Sequence, residues 1–253
     1  MKQGAKVPRL AFMVDLTTAD PDQANAARVH HLVHLFSGHR LPATWTVDSP
    51  DRVGQLRKQH TSPEKIEVAL KIDRHWLSPL SSHSQFRAAL DSRISALSVA
   101  SGTSTHLVVG DPQLLRTRAA VLAEQGITGI FSERQDCSAP AKLRPLPCGL
   151  WQLEPSFCIP PKRSLINFLA RRCPSMKQLQ AAKGAHTTLV MVQSAELGKA
   201  GARALRRLEK LLREISWASS RAQMTVSTVG ETLAELSEQR AIKPQQSILK
   251  AAA

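Results

Sequence analysis

The feature that most constrains this chain is a rhythm: short apolar segments alternate with helix-forming segments along nearly its whole length. Residues 9–14, 42–47, 66–72, 105–109, 127–131, 187–192 and 224–227 each read as a strand, the first five closed off by Asp, Gly or Ser. The stretches between them carry helical periodicity. Val29, Leu32, Val33 and Phe36 fall at i, i+3, i+4 and i+7, and Leu205, Leu208, Leu212 and Ile215 form a second buried stripe. Strands that alternate with helices build a parallel sheet with helices outside it. A spacing of roughly 25–35 residues, kept over seven or eight strands, favours a closed or nearly closed barrel over an open doubly wound sheet. The expected fold class is α/β, a distorted (β/α)7-8 barrel.

Local signals agree with that frame. Asp20-Pro21 reads as N-cap and first helical residue, Gly38 as a helix stop, and Thr228-x-x-Glu231 as a capping box. Residues 132–161 break the rhythm. They hold six prolines and three of the four cysteines, and read as an irregular excursion with one strand near Leu150–Leu153. Helices near 163–172 and 176–183 follow. The domain reading is one barrel over 1–240 and a disordered tail over 241–253.

Composition narrows the function classes. At 253 residues, 42% hydrophobic and 21% charged, the chain has the make-up of a globular protein with a sizeable core. No apolar run reaches the length of a membrane-spanning helix. The first residues lack the apolar core of a secretion signal, so the expected location is cytoplasmic. The net charge of +14 favours polyanionic partners, yet aromatic residues make up only 4% and there is no Tyr. Base-stacking platforms are therefore scarce, and nucleic acid is an unlikely partner. No glycine-rich phosphate loop follows any strand, which argues against nucleotide binding. Cys137, Cys148, Cys158 and Cys173 are spaced too unevenly for paired zinc knuckles and read as free thiols of a reducing compartment.

A (β/α) barrel gathers its functional groups at the C-terminal ends of the strands. Those positions here are Asp15, Asp48, Asp73, His75, Asp111, Glu133 and Gln193. Carboxylates with one imidazole suit a divalent cation such as zinc, which could activate water for amide or ester hydrolysis. Asp48 and Asp111 each precede a Pro by one or two residues and also suit helix-capping roles. His75, beside Trp76, suits packing as well as ligation.

Five segments together resemble the polysaccharide deacetylases of the NodB type, carbohydrate esterase family 4. Ala-Phe-Met-Val-Asp15-Leu stands where the family has Thr-Phe-Asp-Asp, so one of two aspartates is present. Leu-Pro-Ala-Thr-Trp-Thr-Val, residues 41–47, is similar to Pro-Ala-Thr-Phe-Phe-Val. The strand ending Lys71-Ile-Asp-Arg-His75 matches a His-x-x-x-His metal motif with Lys71 in place of the first histidine. Gly110-Asp-Pro112-Gln stands for Arg-Pro-Pro-Tyr-Gly, and Leu189-Val-Met-Val-Gln193 for an apolar strand ending in an assisting histidine. The resemblance implies a deacetylase barrel whose metal ligands would be His75 and Asp15, with Asp15 as the surviving catalytic aspartate. It also implies that most proton carriers, typically worth about 10²–10⁴-fold each, are gone. Lys71 sets a cation beside the metal position and opposes a metal by like-charge repulsion.

Three functions follow. One is a non-catalytic barrel of carbohydrate metabolism, without a cofactor, binding a glycan, a sugar nucleotide or a protein of polysaccharide biosynthesis through Asp15, Asp48, Lys71, Asp73, His75, Asp111, Glu133 and Gln193. The second is a divergent hydrolase with a rearranged site for zinc or another divalent cation, built from Asp15, Asp73, His75 and Glu133. The third is a polyanion binder using Arg203, Arg206, Arg207, Lys210 and Arg213, a set that an ordinary solvated helix face also explains.

Overall fold

The computed structural model describes residues 7–16, 23–59, 66–72, 82–132, 142–160, 176, 179 and 187–242. Ten strands occur among them: β1 Arg9–Asp15, β2 Thr44–Val47, β3 Glu67–Lys71, β4 Leu107–Gly110, β5 Gly129–Ser132, β6 Lys142–Pro145, β7 Trp151–Glu154, β8 Phe157–Ile159, β9 Thr187–Gln193 and β10 Thr225–Ser227. The helices are α1 Gln23–Gly38, α2 Pro50–Gln59, α3 His83–Ser101, α4 Pro112–Arg116, α5 Ala119–Glu124, α6 Ser194–Ala200, α7 Ala202–Ser220 and α8 Val229–Ile242.

The strands form one sheet in the order β6-β7-β5-β4-β3-β2-β1-β9-β8. Every pair is parallel except β6 with β7. The sheet curls into a half-barrel, the (β/α) architecture expected; among the described residues β6 and β8 remain its two edges. The excursion is more regular than its prolines suggest, holding β6, β7 and β8, with β7 on the strand expected there. The expected helices at 163–172 and 176–183 lie outside the described residues apart from Met176 and Leu179, as do Asp20-Pro21 and the end of the tail.

β1 is central. One edge pairs with β9 along all seven residues, from Arg9↔Thr187 to Asp15↔Gln193. The other edge is shared. Arg9–Ala11 faces β10 and Met13–Asp15 faces β2. β10 is thus wedged in at the N-terminal end of the sheet, and it delivers α8 beneath the strands. Leu10 through Val14 are all fully buried, because helices cover one face and the curled interior covers the other.

Those two faces carry two cores. The outer one joins Leu10, Phe12 and Val14 to the surrounding helices, with edge-to-face contacts running from Phe12 to Phe36 and on to Trp45 at centroid distances of 5.2 and 5.6 Å. The inner one joins Ala11, Met13, Val109, Phe131, Leu153 and Met191 to Val229 and Leu233 of α8. α8 therefore closes the bottom of the barrel. It begins with the expected capping box: Thr228 N–H donates to Glu231 at 2.9 Å, and Glu231 N–H donates to the Thr228 hydroxyl at 3.2 Å.

Between β4 and β5 the chain forms two short helices, α4 and α5, around a turn at Thr117–Arg118. One local expectation needs correction. Gly38 is the last helical residue of α1 rather than its stop; the left-handed position is Arg40, at φ 52°. Gly110 closes β4 for a steric reason, since a Cβ there would stand 2.8 Å from the Ile72 carbonyl oxygen, and backbone cannot give way.

Candidate functional site

The inward face of each strand can be read from the core it joins. Ala11, Met13, Ala69, Val109, Leu189 and Met191 belong to the inner core. Side chains alternate along a strand, so Asp15, Lys71 and Gln193, two residues beyond them, also face inward at the C-terminal mouth. Register then brings them together, with Asp15 opposite Thr46 on one side and Gln193 on the other. The Lys71 Nζ lies 3.3 Å from Asp15 Oδ2, and the two side chains are only 16% and 11% exposed. An ion pair this shielded from water is much less screened than one at the surface. The Gln193 Oε1 beside it is buried and has no hydrogen-bond partner among the described residues.

The other expected site residues separate. Asp48 belongs to the helical layer, where its carboxylate lies 3.6 Å from Arg52 Nε and its carbonyl oxygen accepts from Arg93 at 2.7 Å. Asp111 is the N-cap of α4, its carboxylate accepting from Gln113 N–H at 3.0 Å. Asp73, His75 and Glu133 lie outside the described residues. Of the expected cleft, the structure brings together Asp15, Lys71 and Gln193.

A second polar region lies on the outward face at the same end of the sheet. Arg116 Nε donates to Gln152 Oε1 at 2.9 Å, and Gln152 Nε2 donates to Glu154 Oε1 at 3.1 Å. These side chains, with Asp111 and Arg144, line a cavity of about 410 Å³. Of these residues only Asp111 stood out in the sequence. Glu154 was within its reach, since it ends the strand expected at Leu150–Leu153 and is an acidic strand-end residue like Asp15. Arg116 and Arg144 carried no such signal.

The basic helix behaves as a solvated face. α7 buries Leu208, Leu211, Leu212 and Ile215 and exposes Arg203, Arg206, Arg207, Lys210 and Arg213. Arg213 and Lys210 are already paired with Glu209 and Glu214 at 3.4 and 4.0 Å. The free-thiol reading holds for Cys148, which is exposed, and fails for Cys158, which is disulfide-bonded. Disulfides persist in oxidising compartments, so the cysteines do not support the cytoplasmic expectation. No described helix is long and apolar enough to cross a membrane.

The metal that the resemblance implies needs several open donors. Among the described residues no group of three His, Cys, Asp or Glu side chains could hold one, and Asp15 is engaged by an ammonium. The described donors do not by themselves fit a resident divalent cation.

No family model matches the chain, and no curated protein matches it by sequence. Solved structures do. A Mycobacterium smegmatis protein classed as a polysaccharide deacetylase superposes with a TM-score of 0.60 at 14% identity, over 94% of this chain and 93% of its own. Puue allantoinase matches at 0.59 and 13%, over 92% and 91%. A mutant of a CE4 family pseudoenzyme with restored enzymatic activity matches at 0.51 and 10%, over 90% and 68%. The fold is that of the NodB-type polysaccharide deacetylases.

Proposed function

We propose that this chain is a deacetylase-fold protein whose barrel mouth binds a saccharide rather than hydrolysing it. The Lys71–Asp15 ion pair carries the reading. Lys71 extends from the strand that resembles the metal-histidine strand, and its ammonium rests on Asp15, the aspartate at the position that resembles the family's base and ligand. The pair balances its own charge. It leaves an ammonium and a carboxylate as hydrogen-bonding groups, and Gln193 Oε1 beside them as a buried acceptor with no partner among the described residues. Such a set matches the hydroxyls and acetamido group of a sugar. The same architecture also serves an allantoinase, so the residues of the mouth, and not the fold, carry the substrate class.

The test is metal retention and acetate release. Wild type and Lys71→His are incubated with excess zinc, desalted, assayed for metal, and given acetylated chito-oligosaccharides. Wild type is expected to keep well under one equivalent of zinc and release no acetate, while Lys71→His gains metal. Binding of the same oligosaccharide should weaken about tenfold in Lys71→Met. About one equivalent of zinc in wild type, lost in His75→Ala and accompanied by acetate release, would overturn the proposal in favour of a rearranged hydrolase.

A further inference from the structure

We propose that the cavity between α4 and the β6–β7 edge is a second binding site, built for a small polyhydroxy acid: a sugar that carries one carboxylate or phosphate. It stands apart from the mouth. The mouth lies on the inward face of the sheet, whereas Gln152 and Glu154 alternate with the inner-core residues Trp151 and Leu153 and so face outward.

Three observations carry the assignment. The first is size: about 410 Å³ falls within the ~300–1,000 Å³ usual for small-molecule sites. The second is a polar wall fixed in advance. Arg116 donates to Gln152, which donates to Glu154, so the guanidinium is oriented without a ligand and its other edge still has N–H groups to give. Glu154 is 3% exposed, and a carboxylate that deep is costly unless the site uses it. The third is charge. Asp111 is occupied in capping α4, and Glu154 accepts from Gln152, whereas Arg144 has no ion-pair partner among the described residues. Two guanidiniums on one cavity suit a planar or tetrahedral anion held by paired N–H donors. Gln152 and Glu154 supply the donor and acceptor that neighbouring hydroxyls require. On the same outward face, one register step beyond the Phe131–Leu153 pair and level with Glu154, the Ser132 hydroxyl is buried with no hydrogen-bond partner among the described residues.

The experiment is calorimetric titration of the full chain with D-glucuronate, glucose 6-phosphate and glucose, on wild type, Arg144→Gln, Glu154→Gln and Lys71→Met. Arg144 is exposed on an edge strand, so its replacement leaves folding intact, which circular dichroism verifies. At least one of the two acids is expected to bind, and which one identifies the anion. Glucose should bind at least about tenfold more weakly, Arg144→Gln should lose about tenfold in affinity for the acid, and Lys71→Met should lose none. The Glu154→Gln variant should weaken the acid as well, through the hydroxyl contacts. No binding of either acid at millimolar concentration overturns the proposal. So does equal binding of glucose, or an affinity that depends on Lys71 and not on Arg144; this last outcome would return the ligand to the mouth.

Discussion

The two ends of β3 carry opposite charges on one inward face, and the protein treats them in opposite ways. At the floor, Glu67 is saturated. Its carboxylate accepts from the Thr44 hydroxyl, from the Thr228 hydroxyl at 2.6 Å and from the Gly230 N–H at 2.9 Å. The Val229 N–H is taken by the Thr44 oxygen at 2.9 Å. The carboxylate thus sits at the start of α8, where unpaired N–H groups and the helix dipole favour an anion. At the mouth, four residues on, Lys71 reaches Asp15 at 3.3 Å, and the Gln193 oxygen beside them is unbonded among the described residues. A fully satisfied polar network stabilises a fold; a partly satisfied one costs stability and persists where something else uses it. This contrast is what the proposed function expects of a structural floor and a working mouth.

Mutation can break or sharpen that contrast. The largest effect is expected at the floor's apolar plug. Leu233→Ala removes a side chain 1% exposed that meets Leu107, Leu153 and the surface of Gly129, and should cost about 3 kcal/mol in urea unfolding. Glu67→Gln should follow at about 2 kcal/mol, because an amide nitrogen would face donors that now have a charged acceptor. Lys71→Met should cost least, about 1 kcal/mol, since both side chains keep some exposure at the mouth, 16% and 11%, and water can reach the Asp15 carboxylate once the ammonium is gone. The order matters more than the values. If Lys71→Met destabilised the protein more than Glu67→Gln in the same titration, the ion pair would be structural and the mouth would lose its claim as a working site.

The legible part of the fold was the part written in local pattern. The strand expected at Arg9–Val14 is Arg9–Asp15, and that at Thr187–Val192 is Thr187–Gln193. The Thr228/Glu231 box and the Asp111 cap are made by residues three and two apart, so chain connectivity alone places them. Of the site, Asp15 and Gln193 were found because they end strands, and Lys71 because it stands at the first histidine of the motif that its strand resembles. The Arg116–Gln152–Glu154 chain was missed because Arg116, on α4, is 36 residues from Gln152 and meets β7 only in the folded protein.

By itself the sequence determined most of the strands and helices outside residues 132–161, and that helices flank a parallel sheet. Those choices rest on periodicity and capping, which act over a few residues. It did not determine which way each strand faces. Leu10 to Val14 are apolar without interruption, and a strand buried on both sides gives no sign of inside or outside. The curl of the sheet and the seat of α8 made that decision. With it they set Lys71 against Asp15 across 56 residues of chain and turned Glu154 to the outer cavity.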